Sequence, residues 1–187
     1  MTQIWVVRHG ATAWSASGRH TGRTDVELTA EGEDAARRLA PRLAGVHIDA
    51  VHASPRLRAR RTAELAGFAD AVVEPLAVEW DYGDYEGLTR EQIRGSVPGW
   101  TPWTHPAMPH GESLDDVAAR ARKLLDHLGG QGSERVLLFA HGHFLRIMAT
   151  QYVGQPAVLA EHPSLDPATI SVLGPDRGTP MLQRWNG

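Results

Sequence analysis

The chain has 187 residues, 42% of them hydrophobic and 22% charged, and carries a formal net charge of −3. That balance suits one globular domain with a real core rather than a disordered chain, and the slight negative total provides no field toward nucleic acid or an anionic membrane. Cysteine is absent, which removes disulfides, thiolate nucleophiles and Cys-based metal sites.

The first apolar run, Ile4 to Val7, is too short for the core of a signal peptide and is cut off by Arg8. No stretch approaches the ~18 apolar residues of a membrane helix, so the expected location is the cytoplasm. Ile4-Trp5-Val6-Val7 reads instead as a short buried strand ending in Arg8-His9-Gly10. Thr29 is a predicted N-cap for a helix to about Leu43, with Ala35, Ala36, Leu39 and Leu43 along one stripe.

Asp49 to Ala53 is a second strand; Ser54 as N-cap and Pro55 at the first helical position predict a helix to about Ala66. A third strand is expected near Ala71 to Glu74, and Thr89 to Gln92 is a capping-box pattern opening a short helix. Ser96 to His110, rich in Pro, Gly and Trp, reads as a loop or lid. Ser113 with Asp116 opens a helix to about Leu128, Arg135 to Ala140 is the most apolar strand, and a helix from about His143 to Val153 follows it. Two weaker strands, Thr169 to Leu173 and Met181 to Trp185, complete the chain. Alternating strands and helices predict one α/β domain over residues 1–187: a mainly parallel sheet with helices on both faces.

Ligands of open α/β sheets gather beyond the carboxyl ends of the strands, and three predicted strands end in groups suited to phosphate. The first delivers Arg8-His9-Gly10, the second Ser54-Pro55-Arg56-Leu57-Arg58 at a helix start, and the strand at 135–140 delivers His141-Gly142-His143. Free amides and the helix dipole favour an anion at such starts. Singly, each has a plainer reading: a hydrogen-bonded structural histidine, or a solvated arginine face over Arg56, Arg58, Arg60 and Arg61. His141 and His143 also have the spacing of two metal ligands, but no Asp or Glu lies nearby in sequence to complete a set, so no metal is expected.

Val7-Arg8-His9-Gly10-Ala11-Thr12 resembles the Arg-His-Gly signature of the histidine phosphatase superfamily, which includes phosphoglycerate mutases. Further matches follow in the family's order: Trp14-Ser15, Thr21-Gly22, Leu28 to Gly32, Ser54 to Ala59, Glu79 to Gly87, Gly111-Glu112-Ser113 and Ala140-His141-Gly142. The resemblance implies a phosphoglycerate mutase-like fold with His9 as nucleophile and Arg8, Arg58 and His141 around the phosphoryl oxygens. It puts Glu79 in the place of the general acid and matches Ser15, Thr21, Gly22, Tyr82 and Gly142 to substrate-site positions, with Ser15 standing where many members have Asn. No cofactor is implied.

These residue types suit phosphoryl transfer. A neutral imidazole can attack phosphorus near neutral pH and its N–P bond is labile to water, so one displacement becomes two easier ones. Arginines answer the charge spread over three equatorial oxygens, and a histidine adds a donor if protonated. A carboxylic acid must protonate the leaving oxygen and later activate water. Asp81, Asp84 and Glu86 lie in the same segment as Glu79, and only the resemblance singles out Glu79.

Mutases of the family carry a longer segment after the Glu-containing motif, so the short span from Gly87 to Gly111 favours hydrolysis over phosphotransfer. The segments Ser54 to Arg61, Glu79 to Thr89 and Phe139 to Arg146 resemble sugar-phosphate phosphatases of the sedoheptulose-bisphosphatase type and small bacterial acid phosphatases. The expected partner is a small phosphate ester, with monomer and homodimer both open. Trp80, Tyr82, Trp100, Trp103, His20 and His143 are candidate walls for the leaving group, and Arg19, Arg23 or Arg146 for a second phosphate. A non-catalytic binding module and a nucleic-acid binder resting on Arg56 to Arg61 are the weaker readings.

Overall fold

The computed structural model describes residues 2–105 and 108–187. Strand β1 (Gln3–Arg8) leads through a single turn α1 (Ala13–Ala16) into α2 (Ala30–Arg37) and α3 (Leu39–Leu43). Then come β2 (Ala50–Ala53), α4 (Leu57–Leu65), β3 (Val72–Val73), α5 (Arg90–Ser96), α6 (Leu114–Gly130), β4 (Arg135–Ala140), α7 (Gly142–Tyr152), β5 (Ile170–Asp176) and β6 (Thr179–Arg184). The sheet order is β3-β2-β4-β1-β5-β6, with β1, β2, β3 and β4 parallel and β5 and β6 antiparallel. The expected mainly parallel α/β architecture is what the chain adopts.

Strand alternation sorts the apolar residues onto two faces. Val136, Leu138 and Ala140 of β4 pack with Ile4 and Val6 against α6 and α7, while Leu137 and Phe139 pack with Val7 against Leu39, Leu43 and Ala63. Helices therefore cover both faces.

Three expected elements differ. The helix foreseen from Thr29 to Leu43 divides at Arg38 into α2 and α3. Pro41 has no N–H to offer the carbonyl four residues back, and its ring crowds that carbonyl. The third strand shrinks to Val72–Val73, because Glu74 turns to cap the 3₁₀ turn Pro75–Ala77, accepting from Leu76 N. Helix α4 begins at Leu57 rather than at Pro55: Arg56, in extended conformation, is the N-cap, while Ser54 Oγ accepts from Arg56 N at 3.4 Å and meets His141 Nε2.

The segment expected as a loop or lid packs into the molecule: Trp100, Trp103 and Met108 are buried in the α6–α7 core. Pro106 and Ala107 of that segment lie outside the described residues. No helix among the described residues is long and apolar enough to cross a membrane.

Candidate active site

Parallel pairing brings three distant segments together. Strand β4 lies between β1 and β2, with Arg8 opposite Ala140 and Ala53 opposite Phe139. One residue beyond the strands the pairing continues: His9 N donates to Ala140 O at 3.0 Å and Ser54 N to Phe139 O at 2.9 Å. His9 and His141 emerge side by side, their ring centroids 5.2 Å apart and edge to face.

His9 is buried, and its Nδ1 lies 2.7 Å from the carbonyl of Gly10. A carbonyl only accepts, so Nδ1 carries the proton and Nε2 keeps its lone pair. Burial holds the His9 pKa well below the ordinary value, and Arg58 and Arg8 hold it down further; the ring is neutral.

His141 is fully buried, with Nε2 2.7 Å from Ser54 Oγ and Nδ1 buried without a protein partner among the described residues. Burial, then Arg58, depresses its pKa well below the usual value. That direction disfavours the protonated ring on which the expected donor role of His141 is conditional. A neutral ring donates all the same: if the Ser54 hydroxyl donates to Nε2, Nδ1 bears the proton.

Arg58 is buried, but Nη1 donates to the carbonyl of Thr24 and Nη2 to those of Thr21 and Gly22. Its Nε is a buried donor without a protein partner among the described residues. Arg58 thus underlies the 21–24 loop beneath the site. Gly22 permits that loop, because a Cβ there would stand 2.6 Å from Trp80 O. Gly22 N is held by both carboxylate oxygens of Glu86.

The two helix starts expected to receive an anion are capped by the protein's own carboxylates. Leu57 N of α4 donates to Asp25 Oδ1, and His143 N and Phe144 N of α7 donate to Glu79 Oε2 and Oε1. Trp80 N also donates to Oε1, so Oε2 is the less occupied oxygen. Burial raises the Glu79 pKa against the pull of these three amides and of Arg58. Its sequence rivals are otherwise engaged: Asp81 pairs with Arg23 at 2.5 Å, Asp84 with His110, and Glu86 with the 22–24 loop.

A cleft of about 350 Å³ opens above these groups, lined by Arg8, His9, Ser15, Thr21, Glu79, Tyr82 and Gly142 among the expected site residues. Gly22, Arg58 and His141 lie outside that lining. Arg8 Nη1 donates to the carbonyl of Leu165, and Ser15 shares a capping box with Thr12. Tyr82 Oη lies 2.5 Å from His143 Nδ1, and burial raises the phenol pKa well above normal.

His20 and His143 line the cleft as expected, but Trp80, Trp100 and Trp103 do not. The indoles form a buried layer behind it: Trp100 packs edge-on against His20 and Trp103 against His143, with centroids 5.1 and 4.9 Å apart. The last apolar wall is Leu165. Of the arginines foreseen for a second phosphate, Arg19 and Arg146 reach the cleft and Arg23 does not. Arg90 and Gly18 also line it; neither was readable from sequence, where residues 89–92 signalled only a helix start. Among the described residues, no group of three His, Cys, Asp or Glu is arranged to hold a metal ion.

Fold and site together define a mainly parallel α/β protein whose paired histidines and arginines meet at the carboxyl ends of adjacent strands. The family model of the histidine phosphatase superfamily (branch 1) matches residues 4–187, and the chain belongs to that superfamily. It is 41% identical to an acid phosphatase of Mycobacterium tuberculosis over 96% of this chain and 90% of that one. It is 35% identical to the sedoheptulose 1,7-bisphosphatase of Saccharomyces cerevisiae over 80% of this chain and 66% of that one. The solved structure of an open reading frame product from Mycobacterium tuberculosis superposes with a TM-score of 0.93 at 40% identity, covering 99% of this chain and 97% of that one.

Proposed function

We propose that this protein is a metal-independent phosphatase of small phosphate monoesters, sugar phosphates or related metabolites, acting through a phosphohistidine on His9. The observation that carries the reading is the Nδ1 contact of His9 with the Gly10 carbonyl, which leaves Nε2 as a neutral nucleophile beside a cationic cleft. The acid phosphatase and the sugar bisphosphatase among its relatives support the same class.

In the first step Nε2 attacks phosphorus and the ester P–O bond breaks, its electron pair leaving with the organic oxygen, which takes the proton of Glu79. In the second step water gives a proton to the Glu79 carboxylate and attacks phosphorus. The N–P bond breaks, its pair returns to Nε2, and inorganic phosphate leaves. Arg8, Arg58 and the His141 N–H stabilise the equatorial oxygens. Ser15, Thr21, Tyr82 and Gly142 border the substrate, and Gly22 shapes the loop beneath it.

The test is a phosphate-release panel run with EDTA, covering sugar mono- and bisphosphates, phosphoglycerates, phosphoserine and nucleotides. Release from a sugar phosphate is expected, with acid-labile, base-stable phosphate trapped on the native protein and absent from His9→Ala. Interconversion of 2- and 3-phosphoglycerate without phosphate release would replace the phosphatase by a mutase. Label persisting in His9→Ala would move the nucleophile elsewhere.

A further inference from the structure

Glu79 stands on chain without regular structure: residues 78–82 belong to no strand or helix, so no backbone ladder holds them. Carbonyls in such a stretch still need donors. One side chain supplies them. Arg120 of α6 donates from Nη1 to the carbonyls of Leu76 and Val78 at 2.9 and 2.7 Å, and from Nη2 to that of Glu79 at 3.3 Å. Its Nε and Nη2 also donate to Glu112 Oε1 and Oε2, at 2.9 and 2.8 Å. All five guanidinium N–H groups are engaged by these contacts.

Glu112 grips the same stretch from its far end. Its Oε2 accepts from Asp81 N at 3.0 Å, its N donates to Asp81 O at 2.9 Å, and its carbonyl accepts from Trp80 Nε1 at 2.8 Å. Gly111 permits that approach, because a Cβ there would stand 2.4 Å from Asp81 O. Arg120 also lies over the Phe144 ring, 4.8 Å from its centroid, and Phe144 N is one of the amides that hold Glu79 Oε1. One guanidinium therefore braces both the backbone of Glu79 and a residue that holds its carboxylate. The Arg120 and Glu112 side chains are mostly buried, and a bidentate fork fixes direction as well as distance. Neither residue lines the cleft.

We infer that Arg120, held by Glu112, is the positioning residue of Glu79, fixing its carboxyl where the leaving oxygen can take the proton. The role rests on the proposed phosphatase reading and extends it to two residues that touch no substrate. Misplacing a reacting group by about 1 Å can cost about 10²-fold in rate. Lysine cannot replace Arg120, because its ammonium is a point charge without the fork that meets both Glu112 oxygens and three carbonyls together.

The test measures phosphohistidine formation by rapid quench in a single turnover, with phenyl phosphate and p-nitrophenyl phosphate as the two esters. They match in shape, but nitrophenolate leaves readily without a proton and phenolate benefits from one. Arg120→Lys should slow the step about tenfold or more with phenyl phosphate and by less than about threefold with p-nitrophenyl phosphate. In the Glu79→Gln background the same substitution should cost less than about twofold further with phenyl phosphate, since no acid is left to position. Glu112→Gln keeps an acceptor for Asp81 N and loses the ion pair, so it should show the same ester-selective loss, and it serves if Arg120→Lys does not fold. Equal losses for both esters, no loss for either, or losses that add fully in the double variant overturn the positioning role and leave the phosphatase standing. Absence of phosphate release from any ester by the unaltered protein removes the phosphatase, and this role with it.

Discussion

Ser54 and His141, separated by 87 positions in the chain, meet through a 2.7 Å contact between Oγ and Nε2 in a place closed to solvent. Ser54 thereby governs which nitrogen of the second histidine holds its proton. Replacement by Ala leaves a buried ring nitrogen unpaired, at about 1–3 kcal/mol in stability. In the proposed mechanism kcat should fall about tenfold, the effect of ~1.4 kcal/mol lost from the transition state. Ser54→Thr keeps the hydroxyl and should restore most of that rate. Stopped-flow turnover and urea melts of the two variants check this; full activity in Ser54→Ala would sink the tautomer argument.

Glu79 has a pKa raised chiefly by burial, and the first step needs it protonated. With His9 neutral over the same range, the rate of that step should fall as pH rises through the raised Glu79 value, giving an optimum on the acid side of neutrality. Glu79→Gln should lower kcat by about 10²–10⁴-fold, remove that alkaline limb and leave inorganic phosphate binding unweakened. A profile flat from pH 5 to 8, or a loss confined to binding, counts against the assignment.

Stability should decline on mild acidification. His9, His20, His52, His141 and His143 all have pKa values pulled below 6.5, with burial the largest cause for each. Below 6.5 the unfolded chain takes up protons that the folded chain refuses, so stability present at higher pH is lost as pH falls from there toward the folded values. Each group contributes at most about 1.4 kcal/mol per pH unit in its window. Glu79 opposes this: its raised value means the folded form holds the extra proton between 4.5 and that value, so acidification there is stabilising. Five groups outweigh one, and the urea midpoint at pH 5.5 should lie below that at pH 7.5. An equal or higher midpoint at pH 5.5 would contradict the buried neutral rings.

Gly22→Ala should damage site and loop together. The new Cβ would meet Trp80 O at 2.6 Å and Glu86 Oε2 at 2.8 Å, while the same loop supplies the carbonyls that hold Arg58. Loss of about 1–3 kcal/mol in stability and a raised KM are expected. Gly45→Ala, with open space at its Cβ, is the control and should leave both unchanged. A variant Gly22→Ala with unaltered KM and thermal midpoint would show that the loop relaxes freely.

Much of the local structure was legible in the chain. Capping boxes at Thr89 and Ser113 mark where α5 and α6 begin, and the uninterrupted apolar run Val136 to Ala140 marks a strand buried on both faces. These are short-range effects, governed by hydrogen bonds within a turn and by side-chain periodicity. Ser54 shows the limit: its sequence neighbours signal a helix cap, and nothing in them signals the histidine 87 positions away that its hydroxyl also meets.

What the sequence determined by itself was the inventory of chemistry, with Arg8 and His9 carried by one motif and Arg58, Glu79 and His141 by three others. Only the tertiary structure decided which of them face the cleft, which helix amides are already taken by Glu79 and Asp25, and that Arg90 stands among them. The reason is physical. Hydrogen-bond partners and charge neighbours are set by distance in space, and strand pairing brings positions 9, 54 and 141 within a few ångströms where chain order keeps them apart.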